Sequence, residues 1–157
     1  MDKIGLFVDV QNVYYTTRQA YGRQFNYRLL WERVSGFGDI VTARAYAIAR
    51  DDEGQRRFQS ALRHIGFAVK LKPYIQRADG SAKGDWDVGI TIDVLEAAAH
   101  VDRVVLVSGD GDFDLLLNKV GADGRVHTVV YGVPALTAGS LIRAASTYLH
   151  IDEEMLL

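Results

Sequence analysis

Six aspartates stand where their carboxylates can do chemistry together. Asp9 closes the apolar run "IGLFVDV", and Asp110 and Asp112 follow the apolar run "VVLVSG" within "LVSGDGDF". The segment "KGDWDVGITID" adds Asp85, Asp87 and Asp93. An acid that ends a buried strand is costly unless it is paired or opens into a wet cleft. Carboxylates brought together repel one another and hold protons to higher pH, unless a cation neutralises them. Mg²⁺ or a similar hard divalent ion suits such a set, because it takes oxygen ligands and keeps several waters. Each residue also has a plain structural reading. "DGD" is common in turns, Asp112 or Asn12 can cap a helix, Ser108 can bond a turn, and Lys83 can be a solvated loop lysine.

The choice depends on where the chain sends these residues. Ile4–Val10 reads as a buried strand, and "QNVYYTTRQAYG" as a helix that Gly22 can end. "NYRLLWERVSG" reads as a short helix capped by Asn26, "DIVTARAYAIA" as a strand, and "DDEGQRRFQSALRHIG" as a helix with acids at its start. "FAVKLKPYI" is the next strand, and Gln76–Trp86 is the one stretch with the composition of a flexible loop. Then come the helix "DVGITIDVLEAAAH", the strand "DRVVLVSG", the helix "DFDLLLNKVGADG", the strand "RVHTVVYG", the helix "LTAGSLIRAA" and an extended tail "TYLHID". Strands and helices alternate nearly throughout, with no linker or internal repeat. This predicts a single α/β domain over residues 1–157, a mostly parallel sheet between helical layers. Ligands of such sheets bind beyond the carboxyl ends of strands, where the winding reverses. If the first strand is central and "VVLVSG" is its neighbour, Asp9, Asp110 and Asp112 meet there. On a regular helix Asp87 and Asp93 point about 120° apart, so Asp87 is the nearer ligand, and Asp93 lines the cleft or acts through water.

Composition narrows the function. The chain has no cysteine, which excludes disulfides, thiolate metal sites and a cysteine nucleophile. No apolar run approaches the roughly 18 residues of a membrane span, and the first residues lack the pattern of a secretory signal. A cytoplasmic location away from membranes is expected. The formal charge is −2, but it is unevenly spread. Residues 1–83 carry 14 Lys and Arg against 8 Asp and Glu, net +6; residues 84–157 carry 4 against 12, net −8. That asymmetry fits a basic surface beside an acidic cleft. The histidines at 64, 100, 127 and 150 have no shared metal-ligand spacing. "GDGDFD" lacks the lysine and spacing of a nucleotide-binding loop, so no nucleotide cofactor is expected.

The ordered set "FVDVQN", "KGDWDVGITIDVLEAA" and "LVSGDGDF" resembles the NYN domain family, the LabA-like relatives of PIN-domain nucleases. The resemblance covers nearly the whole chain and implies a PIN-like three-layer α/β/α sandwich that cleaves RNA with Mg²⁺ or Mn²⁺. By position it makes Asp9, Asp87, Asp110 and Asp112 the catalytic and metal-holding acids. It places Asn12, Lys83, Asp93 and Ser140 in supporting or substrate-binding positions, to which the turn residue Ser108 is added. The chain departs from the family at Gln11, where a small residue is common, and at Ser146, where an acid is usual. RNA is the expected partner, and a homodimer is compatible with the sequence. In the basic half, Arg18, Arg23, Arg28, Arg56 and Arg57 are candidate phosphate contacts, and Tyr14, Tyr15 and Trp86 candidate stacking residues for unpaired bases. Two other readings compete. One is a non-catalytic RNA- or protein-binding module that keeps the nuclease fold. The other is an aspartate-nucleophile phosphatase, disfavoured because Gln11 stands where its second aspartate should be.

Overall fold

The computed structural model describes residues 1–50, 52–73, 75–76, 82–83 and 85–157; the side chains of residues 73, 75, 76, 82 and 83 lie outside the description. Apolar runs form the strands and capped amphipathic segments the helices. In chain order these are β1 (Lys3–Asp9), α1 (Val10–Tyr21), α2 (Tyr27–Ser35), β2 (Asp39–Ala49), α3 (Glu53–Ile65), β3 (Ala68–Pro73), β4 (Ile75–Gln76), β5 (Ala82–Lys83), α4 (Asp87–Ala98), β6 (Arg103–Val107), α5 (Asp114–Gly121), β7 (His127–Gly132), α6 (Gly139–Ala144) and β8 (Thr147–His150). Three-residue 3₁₀ turns occupy Gly111–Phe113, Pro134–Leu136 and Glu153–Met155.

Six strands pair in the order β3-β2-β1-β6-β7-β8, and every pairing is parallel. Such a sheet must be covered on both faces, and the alternating side chains of β1 divide accordingly. Ile4, Leu6 and Val8 join one core with Val13 of α1, Leu30 and Val34 of α2 and Leu62 of α3. Phe7 joins the other with Ile90 and Val94 of α4, Leu116, Leu117 and Val120 of α5 and Leu141 of α6. The result is a three-layer α/β/α sandwich.

Winding runs from β1 through β2 to β3 on one side and from β6 through β7 to β8 on the other. The reversal falls between β1 and β6, whose register pairs Val8 with Val107. Asp9 and the segment Ser108–Asp110 therefore leave adjacent strands at the same edge.

Local chemistry fixes the helix ends at this edge and beyond. Asp9, Asn26 and Asp52 each accept a bond from a backbone N–H three residues on and so cap α1, α2 and α3. Gly22 ends α1 at φ 67°, a left-handed conformation that suits glycine.

Two segments differ from the sequence expectation. Part of the expected flexible stretch Gln76–Trp86 forms a short antiparallel pair, β4 with β5, and the rest of it up to Gly84 lies outside the described residues. The expected tail "TYLHID" contributes β8, which extends the sheet beside β7. Residues beyond β8 cross to the first core, where Met155 and Leu156 are buried and Leu157 N–H bonds the Gln24 carbonyl.

Candidate metal centre at the strand switch point

Three elements deliver one carboxylate each to the edge where the winding reverses. Asp9 ends β1, Asp87 opens α4, and Asp110 follows β6; a ligand oxygen from each lies within 4.8 Å of the others. Ser108 and Asn12 lock the β1 and β6 ends together. The buried Ser108 hydroxyl donates to Asp9 Oδ2 at 3.1 Å and accepts from the Asp110 N–H at 3.1 Å. The Asn12 amide oxygen accepts the Gly109 N–H at 2.8 Å, while the Asn12 N–H donates to Asp9 Oδ1 at 3.4 Å. Asp110 also accepts from the Asp112 N–H at 2.9 Å, capping the 3₁₀ turn. Gly109 is required by close approach: an added Cβ would stand 2.8 Å from the Leu136 carbonyl oxygen.

Asp87 is placed by the residue before it. The Trp86 indole N–H donates to the Ala47 carbonyl at 2.9 Å, anchoring the start of α4 to β2. Its ring lies against Tyr46 at 5.4 Å, lies 4.9 Å from the Lys72 ammonium, and closes on Gly89, where a Cβ would be 2.6 Å away. Trp86 is thus half-buried and held by contacts within the protein.

Two of these carboxylates, Asp9 and Asp87, hold protons unusually firmly. Burial pushes Asp9 up to about 6, with Asp110 and Asp85 adding to the rise and the bonds from Asn12 and Ser108 opposing it. Burial also lifts Asp87 to about 7, aided by the charges of Asp110 and Asp85, a hydrogen bond shared with Asp110 and the charge of Asp9. This all-oxygen, mutually repelling donor set fits a hard divalent cation. Among the described residues, Asp9, Asp87 and Asp110 form the group able to hold one.

Other residues of the sequence-derived set lie around this group. Asp112 is exposed on the 3₁₀ turn, its N–H serving Asp110. Lys83 lies on β5, and its side chain is outside the described residues. Ser140, on α6, puts its hydroxyl 3.3 Å from where a Cβ on Gly111 would be. Asp93 points elsewhere. Its carboxylate accepts from the Tyr46 hydroxyl at 2.8 Å and pairs with Lys70 at 2.9 Å and Arg44 at 3.1 Å. Burial opposes its ionisation, but the bonds from Lys70 and Tyr46 and the Arg44 charge outweigh it, so its pKa is lowered. The sequence reading missed Arg44, Tyr46 and Lys70. Their signal was present: polar residues alternating within "TARAY" and "VKLK" mark a strand face that meets something charged. Ser146, where the family usually has an acid, exchanges hydrogen bonds with Thr128 near the start of β7, at the opposite end of the sheet.

The protein is thus an all-parallel α/β/α sandwich with three carboxylates converging at its switch point. The chain belongs to the NYN domain family, whose model matches residues 3–152. It is 27% identical over 159 residues to the low amplitude and bright protein LabA of Synechococcus elongatus, covering 96% of this chain and 84% of LabA. It also superposes with a TM-score of 0.94 on the crystal structure of a Vibrio parahaemolyticus protein of unknown function, VPA0982. The two are 54% identical, and the match covers 99% of this chain and 96% of that one. Among the described residues no helix is long and apolar enough to cross a membrane.

Proposed function

We propose that the protein is a ribonuclease that hydrolyses phosphodiester bonds of single-stranded RNA with Mg²⁺ or Mn²⁺. The reading is carried by the convergence of Asp9, Asp87 and Asp110 from three separate elements, in a family whose fold is that of PIN-like nucleases. These three hold the ion. When bound, a divalent ion lowers the pKa of a water and offsets charge on the phosphoryl oxygens.

The protein's own groups set the geometry. Ser108 and Asn12 fix Asp9 relative to the β6 turn, and the Asp112 N–H orients Asp110. The exposed Asp112 carboxylate is assigned the proton of the attacking water. Lys83 and Ser140 are assigned contacts to the substrate on the family pattern, and Asp93 supports the site by holding Tyr46, against which Trp86 packs. No side chain is required as a nucleophile.

Cleavage of an end-labelled single-stranded RNA, with Mn²⁺ and with EDTA, tests this. Wild type with Mn²⁺ should cleave. EDTA, Asp9→Asn and Asp110→Asn should each lower the rate by about 100-fold or more, at or beyond the cost of disturbing a metal's outer shell. Equal cleavage in all arms would mean a contaminating nuclease and reject the proposal. RNA binding without turnover under any divalent ion would instead establish a binding module.

A further inference from the structure

Helix α1 carries a surface that folding does not explain. Its buried face is Val10, Val13 and Thr17. An adjoining, solvent-facing stripe carries the exposed Tyr14, Tyr15 and Arg18, with the half-buried Gln11 at its start, spaced as helical neighbours. Tyr14 is 47% exposed and Tyr15 55%, and neither belongs to either core. The two rings meet edge to face at 5.5 Å. Arg18 completes the group: its Nη1 donates to the Tyr14 hydroxyl at 2.8 Å, and its guanidinium lies 5.3 Å from the Tyr14 ring centre. Exposed aromatics occur singly on most proteins. Here two are adjacent, ordered by each other and by an arginine, on a helix whose N-terminal cap is the Asp9 carboxylate of the metal centre.

We propose that Tyr14, Tyr15 and Arg18 form a stacking platform for unpaired bases of the RNA that flank the phosphate held at the acidic centre. The proposal rests on the ribonuclease reading and adds how the substrate is recognised. At 1.5 Å per residue the group lies roughly 8–14 Å along α1 from Asp9, within reach of nucleotides next to the cleaved bond. Tyr15 is the more open ring and takes the base. Tyr14 braces Tyr15, and Arg18, held by Tyr14, pairs with a backbone phosphate. Aromatic faces accept any base, provided it is out of a duplex. The platform therefore selects for single-strandedness rather than for sequence.

The test is fluorescence anisotropy of a labelled oligouridine in EDTA, where no cleavage intervenes, beside the same strand annealed to oligoadenosine. Wild type should prefer the single strand. Tyr15→Ala should raise Kd about 10-fold or more, the loss of one stacked base, and Tyr15→Trp should restore binding. Arg18→Ala should lower the salt dependence by about one phosphate contact. In Mn²⁺-dependent cleavage, Tyr15→Ala should raise KM and leave kcat unchanged. Wild-type affinity in Tyr15→Ala, or equal binding of duplex and single strand, overturns the platform, while loss of cleavage in Asp9→Asn would leave the nuclease reading standing. A wild-type protein that neither binds nor cleaves RNA overturns both.

Discussion

Asp9 accepts hydrogen bonds from the Asn12 N–H and the Ser108 hydroxyl, which favour its charge, yet burial beside other acids disfavours that charge more. In the metal-free protein Asp9 and Asp87 therefore hold protons to about pH 6 and pH 7, against 3.8 for an ordinary aspartate. A folded-state pKa above the unfolded one means that folding binds protons. The stability this contributes is complete below about pH 3.8 and is lost as pH rises through 6 and 7. Asp93 acts in the opposite sense and weakens the fold only as pH falls through its lowered pKa. In EDTA the melting temperature should thus decline from about pH 5 to pH 8. Asp87→Asn, which removes one repelling charge, should melt higher than wild type at pH 8 and flatten the decline. A wild-type melting temperature that climbs steadily over that interval would show that these acids are not crowded as described.

Helix α4 separates its acids as helical geometry requires: Asp87 turns to the metal centre, and Asp93 turns to the β2–β3 side of the sheet. Replacing Asp93 by Ala leaves the Tyr46 hydroxyl without its acceptor and Arg44 and Lys70 without their shared anion. Since both cations keep partial solvent contact, the cost should be about 2–3 kcal/mol, most of it at Tyr46. Tyr46→Phe should cost about 1 kcal/mol. Urea unfolding measures both, and an Asp93→Ala protein as stable as wild type would remove Asp93 from any supporting role. These elements also show what a sequence can convey. β1, β6 and β7 are legible because strands buried on both faces are continuous apolar runs, and α1–α3 because a polar cap or a glycine marks their ends. β8 is not legible: three half-buried residues and one exposed one gain their partner only when β7 lies beside them. The meeting of Asp9 and Asp110 follows from strand order alone. Helical spacing also favours Asp87 over Asp93, and the structure brings Asp87 into the group. That Asp112 stays outside it depends on how Asp110 caps its turn, which no periodicity encodes.

The sheet order makes the acidic centre a junction for the whole molecule. β1 lies at its middle, α4 belongs to one covering layer, and the β6 turn reaches α6 through the contact of Gly111 with Ala138. An ion held by Asp9, Asp87 and Asp110 would tie these parts together only in the folded chain, since the unfolded chain scatters the three acids. Binding should therefore stabilise the entire fold, by about 2.7 kcal/mol at a hundredfold excess over Kd, or roughly 5–10 °C for a chain of this length. Because the ion must displace protons from Asp9 and Asp87, the stabilisation should be large at pH 8 and small at pH 5. Differential scanning fluorimetry with Mn²⁺ at the two pH values reads this without RNA or turnover. Asp110→Asn should lose most of the shift, and Asp112→Asn, altering an exposed carboxylate outside the three-acid group, should keep it. A shift of equal size at both pH values, or one that survives Asp110→Asn, would mean that the ion stabilises the protein from some other place than the junction of β1, α4 and the β6 turn.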